Sequence, residues 1–149
     1  MAYSTDLDTT TQVARGPHVR AIGWLSRDRP FPAGDAPDAF VRRLRSFCAL
    51  CFESSSSLRW PGMGGTHPCG FCNAFRTSGN LGVPAGPVLF VAPEMVGHYV
   101  QRHRYLPPPD FIAAVLAAPL PGTAEYDQAV APFVAHPPSD VPGTPWKPD

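Results

Sequence analysis

Thr66-His67-Pro68-Cys69-Gly70-Phe71-Cys72 holds a Cys-x2-Cys pair with a glycine inside it and a histidine just upstream. Two thiolates at that spacing on a tight turn can grip one metal ion from one side, and a tetrahedral zinc site then needs about two more ligands at roughly 2.0–2.3 Å. The chain offers them in His98-Tyr99-Val100-Gln101-Arg102-His103. The whole reads Cys-x2-Cys, a spacer of 25 residues, then His-x4-His. The histidine gap is usual for a two-cysteine, two-histidine site, whereas the spacer is longer than in a compact finger. On an ideal helix His98 and His103 stand about 140° apart. Both can meet one ion only if the last turn tightens or bulges, or if one ring reaches around. His67 is the reserve ligand, to replace whichever fails. The stretch therefore predicts a small α+β domain with a zinc knuckle packed on a helix, and a metal set drawn from Cys69, Cys72, His98, His103 and His67.

At 149 residues, 44% of them hydrophobic, the chain suits one domain with a real core. Its 12 basic and 12 acidic residues cancel. A nucleic-acid binder carries a basic face for phosphates, and a surface-bound protein carries a polybasic patch, so both partners are disfavoured. Protein partners remain open. Met1 to Gly16 is polar, without the apolar segment of a signal peptide, and nowhere does an apolar run approach the ~20 residues of a membrane span. A cytoplasmic location follows, where paired cysteines are more often metal ligands than disulfides. Twenty prolines, with abundant alanine and glycine, look like the coding bias of a GC-rich bacterium.

Along the chain, residues 1–17 read as a flexible arm and residues 18–135 as the domain. His18 to Leu25 is a short strand. Asp35 is placed to cap a helix over residues 36–53, in which Phe40, Leu44, Phe47, Cys48 and Cys51 share one face. The polar run 54–57 ends it, and a glycine-rich loop from Trp60 leads into the knuckle. Gly82 to Pro84 and Val88 to Val91 read as arms of a hairpin. Pro93 suits the first turn of the histidine helix. A short helix over 110–118 follows, then one begun by Thr123 and disrupted by Pro132. Residues 136–149 form a proline-rich tail.

The combination Gly23-Trp24-Leu25, Phe31-Pro32-Ala33-Gly34, Gly65-Thr66-His67-Pro68-Cys69-Gly70-Phe71-Cys72, Ala92-Pro93 and His98-Tyr99-Val100-Gln101-Arg102-His103-Arg104-Tyr105-Leu106-Pro107-Pro108 resembles a family of small uncharacterised bacterial proteins. The resemblance covers about residues 19–118. It implies boundaries and the grouping of His67, Cys69, Cys72, His98 and His103, with no activity attached.

Other readings compete. Cys69 and Cys72 can be buried thiols, or a redox pair if Cys69 opened a helix, but residues 73–78 are short for one. Cys48-x2-Cys51 with Cys69-x2-Cys72 has four-cysteine zinc spacing and resembles a GATA-type finger. Against it, Cys48 and Cys51 lie on the core stripe of the long helix, and the basic tail of such a finger is missing. Pro68 to Cys72 matches half of the zinc-deaminase signature, yet no histidine has a glutamate two residues later. The metalloprotease His-Glu-x-x-His is absent as well. Glu94 is the sole carboxylate near the proposed metal, so a hydrolytic zinc enzyme with an open coordination position stands as the alternative to a structural site.

Overall fold

The computed structural model describes residues 2–52, Leu58, Trp60 and residues 65–135. The polar run after the first helix, most of the loop before the knuckle and the proline-rich tail lie outside the described residues. The remainder is an α+β domain. Its elements are β1 (Val19–Ala21), α1 (Asp38–Ala49), β2 (His67–Pro68), β3 (Arg76–Thr77), β4 (Asn80–Ala85), β5 (Val88–Pro93), α2 (Val96–His103), α3 (Pro109–Ala117) and α4 (Ala124–Ala135).

The expected hairpin is the centre of the fold. Gly86, at φ 57°, makes the two-residue turn with Pro87 that joins β4 to β5, which run antiparallel with Val83 opposite Phe90. A left-handed residue in so short a loop is what glycine supplies without steric cost. β1 then adds to the far side of β5 in parallel, Arg20 opposite Phe90, giving the order β1-β5-β4. Trp24 fixes this edge by donating its indole N–H to the Val91 carbonyl at 2.9 Å.

α1 forms where its apolar stripe predicts, with Phe40, Leu44 and Phe47 buried. It starts two residues later than expected, however, and it ends at Ala49, so that Cys51 lies beyond it. Ala36 precedes Pro37, and a residue before proline is pushed out of the helical region. Asp35 caps nothing and pairs instead with Arg104 at 3.2 Å. Phe111 of α3 packs between Phe40 of α1 and Phe90 of β5, at ring separations of 6.0 and 5.7 Å. Burying one such ring is worth about 1.5–3 kcal/mol. The Arg43 guanidinium closes the end of α3 by donating to the carbonyls of Val115 and Ala118. α4 begins as expected, Thr123 accepting the Tyr126 N–H at 3.1 Å, but it runs through Pro132 to Ala135 rather than breaking there. Pro93, expected in the first turn of α2, ends β5 instead.

Residues 2–17, expected to belong to a flexible arm, pack against the domain. Leu7 donates its N–H to Ala21 and Asp8 accepts from Ala21, so the segment lies along β1. Val13 and Ala14 are fully buried. The Asp6 carboxylate takes the Gly23 N–H at 3.0 Å and the Tyr105 hydroxyl at 2.7 Å. A polar segment is ordered here because a buried phenol needs an acceptor.

Candidate metal centre

β2 and β3 form a minimal antiparallel hairpin, His67 opposite Thr77, and residues 69–75 are its loop. The Cys69 N–H donates to Phe75 O at 2.8 Å, and the Asn73 N–H returns to Cys69 O at 2.9 Å. The chain reverses at Asn73, whose φ is 56°. Asparagine tolerates that left-handed conformation better than most residues. Gly70, the residue inside the pair, has open space around it. The turn brings both thiols to one side, where each sulfur accepts a backbone N–H two residues on. Phe71 donates to Cys69 Sγ at 3.4 Å and Ala74 to Cys72 Sγ at 3.5 Å.

α2 supplies the other half. Cys69 Sγ lies 3.4 Å from His103 Nε2, and Cys72 Sγ lies 3.4 Å from His98 Nε2. The four ligand atoms are all within 4.8 Å of one another, a group that can hold a metal ion. Both histidines reach the cluster although they stand five residues apart, and the helix ends directly after the second. There Arg104, left-handed at φ 55°, donates its N–H to Tyr99 O, five residues back. Tyr105 N–H shares that carbonyl at 3.1 Å. This wider closure behind a left-handed residue is the kind that caps a helix C-terminus. The His98 and His103 rings end with centroids 5.0 Å apart.

The surroundings hold the rings in place and keep one side of the cluster wet. Phe75 stacks on His98 at 4.8 Å and 7°, while Phe71 tilts against His103 at 5.3 Å. Cys69 is buried and Cys72 exposed. Burial pushes the Cys69 thiol up, and the Phe71 and Cys72 N–H groups pull it back. Burial, then His103 and Arg102, hold His98 below the usual histidine range, which favours the neutral imidazole a metal requires. A bound cation would reverse the bias on the thiol, since a coordinating thiol is deprotonated outright.

Residues 2–116 match the family model of a Domain of unknown function (DUF7919). The chain belongs to that family. No curated protein and no solved structure matches it. All four cluster residues of this DUF7919 chain lie inside the matched span, and so does the N-terminal segment that packs along β1.

Of the five expected ligands in this DUF7919 domain, four converge and His67 does not. It sits in β2, and its Nε2 is buried without a hydrogen-bond partner. Cys48 and Cys51 also stay outside the cluster. Their thiols are pushed up to about 12, in both cases chiefly by burial and also by the Glu94 carboxylate. They pack against the core as small apolar groups, Cys48 donating to the Glu94 carbonyl at 3.5 Å. Sequence reasoning overlooked Phe75 and Asn73. The signal for both was their position just after the second cysteine, where a knuckle must turn back. Among the described residues no helix is long and apolar enough to cross a membrane.

Proposed function

We propose that this protein binds one zinc ion through Cys69, Cys72, His98 and His103, and that the ion is structural. The observation that carries this is the pairing of each sulfur with one histidine nitrogen at 3.4 Å. Zinc bond lengths of about 2.3 Å to sulfur and 2.0 Å to nitrogen give tetrahedral S···N edges of about 3.5 Å. Four protein donors fill a tetrahedron and leave no position for substrate or water. The ion would staple the β2–β3 knuckle to α2, so that the protein acts as a binding or accessory factor rather than a catalyst. The neutral net charge favours a protein partner over nucleic acid.

One observation supports the alternative of a hydrolytic zinc enzyme. A groove lined by Glu94 and His98 adjoins the site, and exchange of exposed Cys72 for solvent would open the coordination shell. The experiment that separates the two is elemental analysis of freshly purified protein with X-ray absorption at the zinc edge. One zinc per chain with two sulfur and two nitrogen neighbours upholds the structural site. Three protein ligands plus a light oxygen neighbour would turn the assignment to the enzyme. Protein that carries no metal at all would remove both.

A further inference from the structure

A groove between α1 and α2 adjoins the cluster and shares only His98 with it. On α1, Arg45, Cys48 and Ala49 fall at i, i+3 and i+4 and face it together; on the other side stand Gly97 and Arg102 of α2. The helices meet closely at its floor, where a Cβ on Gly97 would come within 3.0 Å of Cys48 Sγ. The groove is open to solvent, has a volume of about 360 Å³ and is lined as well by Phe75 and His98. Small-molecule sites are typically clefts of about 300–1,000 Å³, mostly apolar with a few convergent polar groups.

The charges in this groove are unequal in availability. Among the described residues Arg45 and Arg102 have no hydrogen-bond or ion-pair partner. The one carboxylate, Glu94, already accepts the Gly79 N–H at 3.1 Å. The lining thus carries two guanidinium groups against one carboxylate. The arginine end is therefore electropositive, and it borders an apolar floor.

We propose that this groove binds a small organic anion, a phosphate monoester or carboxylate on a flat apolar body. Its charged end sits between Arg45 and Arg102, and its body lies against Cys48 and Phe75. Guanidinium forks suit both oxyanions because each presents two acceptor oxygens in a plane. The inference goes beyond the metal site and does not require zinc, although His98 belongs to both.

The test is isothermal titration calorimetry of the metal-loaded chain with phenyl phosphate, benzoate and inorganic phosphate, with zinc content measured for every sample. One of the two aromatic anions is expected to bind, and which one does tells the head group. Inorganic phosphate, lacking the body, should bind about tenfold more weakly than phenyl phosphate. Arg45→Gln and Arg102→Gln should each weaken binding about tenfold, the range of one charge-assisted hydrogen bond. Ala49→Phe should block the groove with zinc retained. Arg42→Gln, on the same helix and outside the groove, should bind like the wild type. The proposal falls if neither aromatic anion binds at millimolar concentration, or if Arg42→Gln weakens binding as much as the two groove arginines do.

Discussion

Chelating the metal should lower the melting temperature without unfolding the protein at room temperature. The ion would join Cys69 to His103 across 34 residues of sequence and Cys72 to His98 across 26. Treated as one cross-link on a loop of that length, it removes about 3.5–4 kcal/mol of unfolded-chain entropy. In a domain of about 150 residues each kcal/mol moves the midpoint by about 2–4 °C, so the expected drop is on the order of 10 °C. The domain survives because Phe40, Phe90 and Phe111 pack away from the cluster, against the sheet. Calorimetric melts with and without chelator measure this, on the wild type and on Cys72→Ser. Cys72 is exposed, so the substitution removes a ligand at little packing cost. The variant should melt where the chelated wild type melts and be insensitive to chelator. A wild type whose midpoint stays put on chelation, or a variant that still responds fully, would refute the cross-link reasoning.

Other outcomes follow from particular contacts. Cys69→Ser should abolish zinc retention, whereas Cys48→Ala should keep one zinc per chain and cost roughly 1 kcal/mol for its small cavity, read by elemental analysis and denaturant melts. His98 gives a pH signature in the metal-free protein. Burial first, then His103 and Arg102, lower its folded pKa, so the unfolded chain takes up the proton first. Stability is then whole above the unfolded value of about 6.5 and is lost as pH falls from there toward the folded pKa. Melts across that window check it, and a flat profile in His98→Gln confirms the source. Tyr105→Phe should cost about 1.5–3 kcal/mol, because it deprives the Asp6 carboxylate of a hydroxyl donor. Faster proteolysis of residues 2–17 should accompany it, and unchanged cleavage there would show that the segment is held otherwise.

How much of this could be read from residues alone depends on the range of the interaction. The α1 stripe and the Gly86 hairpin are local patterns, and both are where periodicity and turn chemistry put them. The Cys2His2 grouping is not local, yet it was legible because metal chemistry restricts donors to few residue types and the chain has few of them. The means of convergence was not legible. The helix end that carries His103 is flanked by Ala33 and Gly34 pairing with residues 104–105, partners some 70 positions away in sequence. The N-terminal segment was misread for the same reason. Asp6 looks like a solvated carboxylate until Tyr105, 99 residues on, arrives to use it. His67 was a reserve ligand on proximity alone, and the strand pairing that holds it in β2 was not visible in spacing. Asp35 carried a capping signal that the proline two residues later overrode.

The order of the sheet has a consequence for how the chain can be assembled during synthesis. β5 lies in the middle, and β1 and β4 each find their strand partner in it and not in each other. The central strand is the last of the three to leave the ribosome. Until residue 93 has emerged, β1 has only the segment before it, through Leu7 and Asp8 on Ala21, and its β5 side stays unpaired. Its ladder then closes a loop of about 70 residues, the kind of non-local pairing that slows folding. Ten residues later His103 emerges, so the four donors become complete almost as soon as the sheet does. Before that point neither the sheet nor the cluster can form, and a nascent chain halted short of residue 93 presents an unpaired strand edge to whatever surrounds it.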